Sequence, residues 1–147
     1  LEVRGSVTDQ LELIASATAL DTEVLRSNTA GVTGKRPQAV PKRFASAWAS
    51  YRIANGPLTD LNLSGGVRYV SSSFGDDLNT VRSPSYAITD IAVRYELGRR
   101  FPSLSGTQLT LNVSNLFDKE YYTSCSYGIY CQFGNRRQFL GGLRYTW

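Results

Sequence analysis

The sequence predicts an all-β fold, an antiparallel transmembrane β-barrel segment of about seven strands. Three observations carry that prediction. Apolar and polar residues alternate with period two along nearly the whole 147-residue chain, and no helical periodicity competes. The connections between strands alternate strictly between short and long, the sorting that outer-membrane barrels show between their two ends. Aromatic residues gather at two heights on the apolar face, as two membrane–water interfaces select.

The elements follow in order. Residues 1–8 place Leu1, Val3, Gly5 and Val7 opposite Glu2, Arg4, Ser6 and Thr8. After a tight Thr8-Asp9-Gln10 turn, Leu11, Leu13, Ala15, Ala17 and Ala19 continue the apolar face. A long polar stretch, residues 21–41, leads to a third strand over 42–53 that carries Ala45, Ala47, Ala49, Tyr51 and Ile53. Asn55-Gly56-Pro57 is a turn signal, and Leu61, Leu63, Gly65, Val67 and Tyr69 define the fourth strand. A loop through Gly75-Asp76-Asp77 precedes the fifth, residues 85–97, with Ile91, Val93, Tyr95 and Leu97 aligned. A Gly/Pro-rich turn near Pro102 leads to the sixth, residues 107–117. The seventh, residues 137–147, aligns Phe139, Gly141, Leu143, Tyr145 and Trp147. Short connections thus lie near Asp9, Gly56 and Pro102, and long ones at residues 21–41, 73–84 and 118–134.

Alternation alone also suits a soluble sandwich, which would bury its apolar face and wet the other. The loop sorting and the belts favour the membrane. Tyr51, Tyr95, Tyr145 and Trp147 fall near the short-turn end of the apolar face, and Tyr69 and Phe139 fall near its long-loop end. Charged residues, among them Glu12, Arg68, Asp90, Arg94 and Arg144, take the opposite face, as a polar lumen requires. With short turns at the periplasm, the 118–134 loop is expected outside the cell.

Composition removes whole classes of function. The net charge of +4 comes from basic residues scattered singly along the strands, so nucleic acid is not an expected partner. No apolar run approaches the ~18 residues of a transmembrane helix. His is absent, which removes the commonest general base, the Ser–His triad and most zinc sites; neither an enzyme nor a bound metal is expected. Cys125 and Cys131 fit a local disulfide, formed in an oxidising compartment, better than a metal site that would need two further ligands. Met is absent as well and the pattern is already running at Leu1, so the expectation is a C-terminal piece of a longer protein.

Three segments resemble one known family. These are Gly34-Lys35-Arg36-Pro37 with Val40-Pro41-Lys42, Trp48 and Tyr51; Gly65-Gly66-Val67-Arg68-Tyr69 with Gly75-Asp76-Asp77, Asn79 and Pro84-Ser85-Tyr86; and Asn115-Leu116-Phe117-Asp118-Lys119-Glu120-Tyr121 with the cysteine pair and the terminal aromatic strand. In this order they resemble the TonB-dependent siderophore receptors of the bacterial outer membrane, with closest likeness to the ferrichrome and hydroxamate-type branch. Arg43 is a departure, since many relatives carry His after the Pro-Lys pair.

The resemblance implies a barrel of about 22 strands, of which residues 1–147 would be the C-terminal portion. A plug domain and a TonB-contacting segment (the TonB box) would lie upstream. It implies ferric siderophore as transported ligand and no cofactor bound directly. It also implies as partners the TonB–ExbB–ExbD complex, acting through that N-terminal region, outer-membrane lipid and lipopolysaccharide, and the barrel-assembly machinery. Outer-loop aromatics line the ligand pocket in this family, so Ser126, just after the first loop cysteine, and Tyr127 and Tyr130 are candidate ligand contacts; the alternative is that the tyrosines only pack the loop. Trp48, on the lumen register, is a fourth candidate, or else packs against the plug. A disulfide between Cys125 and Cys131 would rigidify the last outer loop. Asp76 and Asp77 read as turn caps rather than a paired-carboxylate site, and Lys35 and Arg36 as solvated loop residues rather than anion ligands. A passive porin or small structural barrel is the rival reading.

Overall fold

The structure, a computed structural model, describes residues 1–147. In chain order its strands are β1 (Glu2–Ser6), β2 (Leu11–Ala19), β3 (Arg43–Arg52), β4 (Leu61–Val70), β5 (Ser73–Phe74), β6 (Arg82–Ser83), β7 (Tyr86–Glu96), β8 (Thr107–Ser114), β9 (Tyr122–Ser126), β10 (Tyr130–Phe133) and β11 (Gln138–Tyr145). Two short 3-10 turns, Leu97–Arg99 and Pro102–Leu104, fill the connection between β7 and β8. Seven strands form one antiparallel sheet in the order β1-β2-β3-β4-β7-β8-β11, so every wall strand pairs with its neighbour in sequence. That is the meander expected, and the seven wall strands are those read from the alternation.

Register keeps each apolar row together across the wall. Ala15 faces Ala47, Ala47 faces Val67, Leu63 faces Val93, Val93 faces Leu111, and Leu109 faces Leu143. A slip of one residue would turn each of these to the other side, so the pattern itself locks the pairing. Nothing covers this face. Val67, Leu63, Leu109 and Leu111 are each 42% exposed and Leu143 is 70% exposed, while only Val32, Ile88 and Val113 among the apolar residues are buried. A water-soluble sheet of this size would pack such a face against a second layer; this one offers it to its surroundings.

The opposite face is joined by polar pairs. Ser16 and Ser46 share a hydrogen bond of 2.8 Å, Ser50 Oγ donates to Asn62 at 2.9 Å, and Arg4 and Arg68 reach Glu12 and Asp90 at 2.7 and 2.8 Å. Trp48 interrupts the polar row. It sits opposite Ile14 and Gly66, and its ring occupies the space that a side chain on Gly66 would need.

Two small ribbons were not legible as strands. β5 pairs with β6 and β9 with β10, both inside the long connections. Strand ends also fall short of expectation: β8 stops at Ser114 rather than Phe117, because Asn115 and Asp118 turn to φ +51° and +53°. β11 ends at Tyr145, with Thr146 still donating to Gly106 at 2.9 Å.

Candidate functional site

The three long connections, residues 20–42, 71–85 and 115–137, emerge from the same end of the wall and are bonded to one another. The middle loop is the hub. Its β5–β6 ribbon is closed by Asp76, a buried residue whose carboxylate accepts from the N–H of Val81 at 2.7 Å and from the N–H and hydroxyl of Thr80 at 3.1 and 2.8 Å. The Val81 bond first, then those from Thr80, hold the Asp76 carboxyl below the usual carboxylate range. Asp76 is therefore a turn cap, as expected, and Asp77 stands apart from it in solvent.

On one side the middle loop grips the first. Asn79, at φ +61°, accepts from the Arg36 N–H at 2.9 Å and donates to the Arg36 carbonyl at 2.8 Å, while Ala39 N–H donates to Phe74 O at 2.7 Å. Arg36 is not the solvated loop residue expected. Its guanidinium lies 5.8 Å from the Phe74 ring centre, and its Nε and Nη2 are buried without a partner.

On the other side it meets the third loop. Tyr127 N–H donates to Gly75 O at 2.8 Å, and the Gly75 backbone approaches the Cys125 carbonyl so closely that a Cβ would overlap it. Only glycine fits there. Cys125 and Cys131 face each other across the β9–β10 ribbon and are joined as a disulfide. The ribbon turns through Tyr127 and Gly128, at φ +51° and +73°, with Ile129 N–H bonded to Ser126 O at 3.2 Å. Two consecutive positive φ values make a primed hairpin turn, which is unusual for a tyrosine.

The root of the third loop is fixed by two side chains. Buried Asn115 donates from Nδ2 to Lys119 O at 2.8 Å and Asn135 O at 3.0 Å, and its Oδ1 accepts from Lys119 N–H at 2.8 Å. Its own N–H donates to Asp90 on the wall at 2.9 Å. Asp118 accepts both Nε and Nη2 of Arg136, at 2.9 and 2.7 Å, and the Arg137 N–H at 2.9 Å. The Arg136 pair, and then the Arg137 N–H, hold its carboxyl well below the ordinary range, and Arg136, which also reaches Glu120, is raised in turn. Tyr121 lies over Gly134 and against Tyr86, ring centres 4.5 Å apart.

The predicted site residues divide. Ser126, Tyr127 and Tyr130 share the hairpin tip. Ser126 is half-buried, whereas Tyr127, Ile129 and Tyr130 are exposed, the last at 72%. Both tyrosines are thus open to solvent at the tip of the ribbon. Trp48 is not brought to them; it lies five residues down β3 from Arg43, about 16 Å by strand rise. Sequence reasoning did not single out Gly75 and Asn79 as the residues that join the loops, nor Asn115 as the one that fixes the root of the third. A signal existed in Asn79 and Asn115, since asparagine tolerates positive φ and supplies both donors and an acceptor. No three His, Cys, Asp or Glu side chains converge. The tip offers aromatic faces, hydroxyls and backbone groups, a surface for binding a bulky ligand with polar edges.

Comparison with known proteins agrees with this layout. The profile of the family described as TonB dependent receptor-like, beta-barrel matches residues 1–116. The chain is 38% identical over 140 residues to the ferrichrome outer membrane transporter/phage receptor of Escherichia coli, covering 95% of this chain and 18% of that protein. It is 35% identical over 145 residues to the ferrioxamine receptor of Yersinia enterocolitica, covering 99% and 20%. The crystal structure of the siderophore receptor PiuA from Acinetobacter baumannii superposes with a TM-score of 0.78 at 27% identity, covering 98% of this chain and 20% of that one. The chain spans about a fifth of the length of the relatives it matches. The likeness bears out the antiparallel transmembrane barrel segment expected from the alternation.

Proposed function

The chain belongs to the TonB-dependent receptor β-barrel family of the bacterial outer membrane, and from that premise we propose that it is the C-terminal wall and outer rim of a ferric-siderophore receptor. The observation that carries the proposal is the hairpin tip, where Tyr127 and Tyr130 stand exposed on a disulfide-closed ribbon fixed to the neighbouring loop through Gly75. Fixed aromatics bind bulky chelates with little further loss of rotamer freedom. In this reading Ser126, Tyr127 and Tyr130 contact a ferric siderophore of the kind for which the ferrichrome and ferrioxamine relatives are named. Trp48 faces the lumen below, where it meets the plug or the passing ligand.

The remaining machinery belongs to the rest of the receptor. A plug domain and TonB box upstream would couple capture to the TonB–ExbB–ExbD complex, and the terminal strand β11 would be read by the barrel-assembly machinery. The uncovered apolar face sits in outer-membrane lipid and lipopolysaccharide. The work is binding and transport, with no bond-making step assigned to any residue here.

Uptake of radiolabelled ferric hydroxamates, in cells carrying the full gene against a deletion, tests the proposal. A deletion that loses uptake of one chelate supports it. Unchanged uptake across a panel of chelates rejects it.

A further inference from the structure

At the rim of the wall, below the first two long loops, four cations and a tyrosine converge on a cavity of about 270 Å³: Arg36, Lys42, Arg43, Arg82 and Tyr69. Of these cations only Lys42 has a carboxylate within ion-pair reach, Asp21 at 3.9 Å, and Asp21 is itself almost fully exposed. So much positive charge with so little compensation is a site for an anion.

The cavity is built, not a chance gathering of loop residues. The Arg36 backbone is clamped at both its N–H and its carbonyl by Asn79, and its guanidinium is set over Phe74. Its buried Nε and Nη2 lack any acceptor. Arg82 is oriented by two bonds from Nε and Nη2 to Ser72 Oγ, at 3.0 and 2.7 Å. The Arg43 N–H donates to Ser71 Oγ at 3.0 Å.

Register gives the cavity its height and side. Tyr69 faces Ala45, so it lies on the apolar face, and Arg43, two residues before Ala45, shares that face. Tyr69 is also the aromatic at the long-loop end of that face. The cavity therefore opens outward, where acyl chains give way to headgroups, rather than into the lumen.

We propose that this cavity binds a phosphate group of an outer-leaflet lipid. Arg36, Lys42, Arg43 and Arg82 supply the positive charge that attracts it, and Tyr69 sits at headgroup level. The proposal rests on the outer-membrane placement above and is independent of which chelate is carried.

The test uses the full-length receptor in nanodiscs, with bis-phosphorylated lipid A, dephosphorylated lipid A and inorganic phosphate as probes. The phosphorylated lipid is expected to bind well above its dephosphorylated counterpart. Each cation removed should weaken binding about fivefold, so Arg36→Gln with Arg82→Gln, and separately Lys42→Gln with Arg43→Gln, each lose about 25-fold. Heat-modifiable gel migration confirms that each variant barrel is folded, and either pair suffices if the other fails that check. Equal binding of the two lipids, or wild-type binding by a folded double variant, overturns the proposal. Displacement of the lipid by millimolar inorganic phosphate overturns the lipid source and makes the cavity a site for soluble anions. Ferric hydroxamate uptake, measured on the same variants, bears on the transport reading alone.

Discussion

Tyr127 N–H donates to the carbonyl of Gly75 at 2.8 Å, joining the tip of the disulfide-closed hairpin to the loop beside it across a contact that admits no side chain on Gly75. Gly75→Ala must push the Cys125 backbone away and break this joint. Ferric hydroxamate affinity, measured on cells expressing the full receptor, should fall about tenfold or more, while the barrel migrates normally on gels. Unaltered affinity would show that the joint plays no part in capture.

The exposed tyrosines should each matter at the binding step. Tyr127→Ala and Tyr130→Ala are expected to raise the dissociation constant about 5- to 30-fold, or about 1–2 kcal/mol, typical of aromatic anchors at a recognition surface. Trp48→Ala should leave binding at the outer face intact and slow uptake instead, because Trp48 lies on the lumen face well below the tip. Equilibrium binding and transport rate, measured side by side, distinguish the two positions; the reverse pattern would move the capture site down into the barrel.

Asn115→Ala removes a side chain that makes three bonds inside its loop and sits at φ +51°. Two carbonyls and one N–H lose partners in a buried setting, so the expected loss is about 2–4 kcal/mol. Denaturant unfolding of the receptor in detergent, with tryptophan fluorescence as readout, measures it. A loss near zero would mean that water replaces the side chain at no cost.

Acid should loosen the outer loops. Asp118 is held below its ordinary range first by Arg136 and then by the Arg137 N–H, and Asp76 first by the Val81 N–H and then by Thr80. A carboxyl depressed in the folded state stabilises fully above the unfolded value near 3.9, and that contribution drains away as pH falls below it. Loop protection in hydrogen exchange should therefore hold from about pH 8 to pH 5 and decline below about pH 4. Asp118→Asn should flatten part of the decline. Protection that increased on acidification would contradict the sign.

Opening the hairpin ring with Cys125→Ser, or with reductant, should cost the β9–β10 ribbon about 2 kcal/mol from loop-closure entropy. Protease cleavage near Tyr127 should quicken while the wall strands stay resistant. Equal cleavage rates with and without the disulfide would mean that the contact to Gly75 alone holds the ribbon.

The wall was legible because its physics is local and periodic. Period-two alternation marks Leu11 to Ala19 or Leu61 to Tyr69 without reference to any other part of the chain. The loops were not legible, because their order comes from single contacts across long separations. Asn79 reaches Arg36 across 43 residues and Asn115 reaches Asn135 across 20, and neither spacing leaves a repeat in the sequence. The two-residue strands β5 and β6 are too short to show any period. Tyr127 and Tyr130 were singled out as candidates through the family resemblance and the cysteine pair through its spacing, whereas the burial of Arg36 came from a partner loop that its own neighbours do not reveal.

The bonds that tie the first loop to the second and the second to the third carry a thermodynamic corollary. Three chains free to sample conformations independently would have to be ordered when the chelate arrives, and association would be weakened by that entropy. Here Asn79 and Gly75 have imposed the order already, during folding. On the proposed reading, affinity at the tip would be set partly by two residues that need never touch the ligand, and it should be tunable from them without altering a single ligand contact.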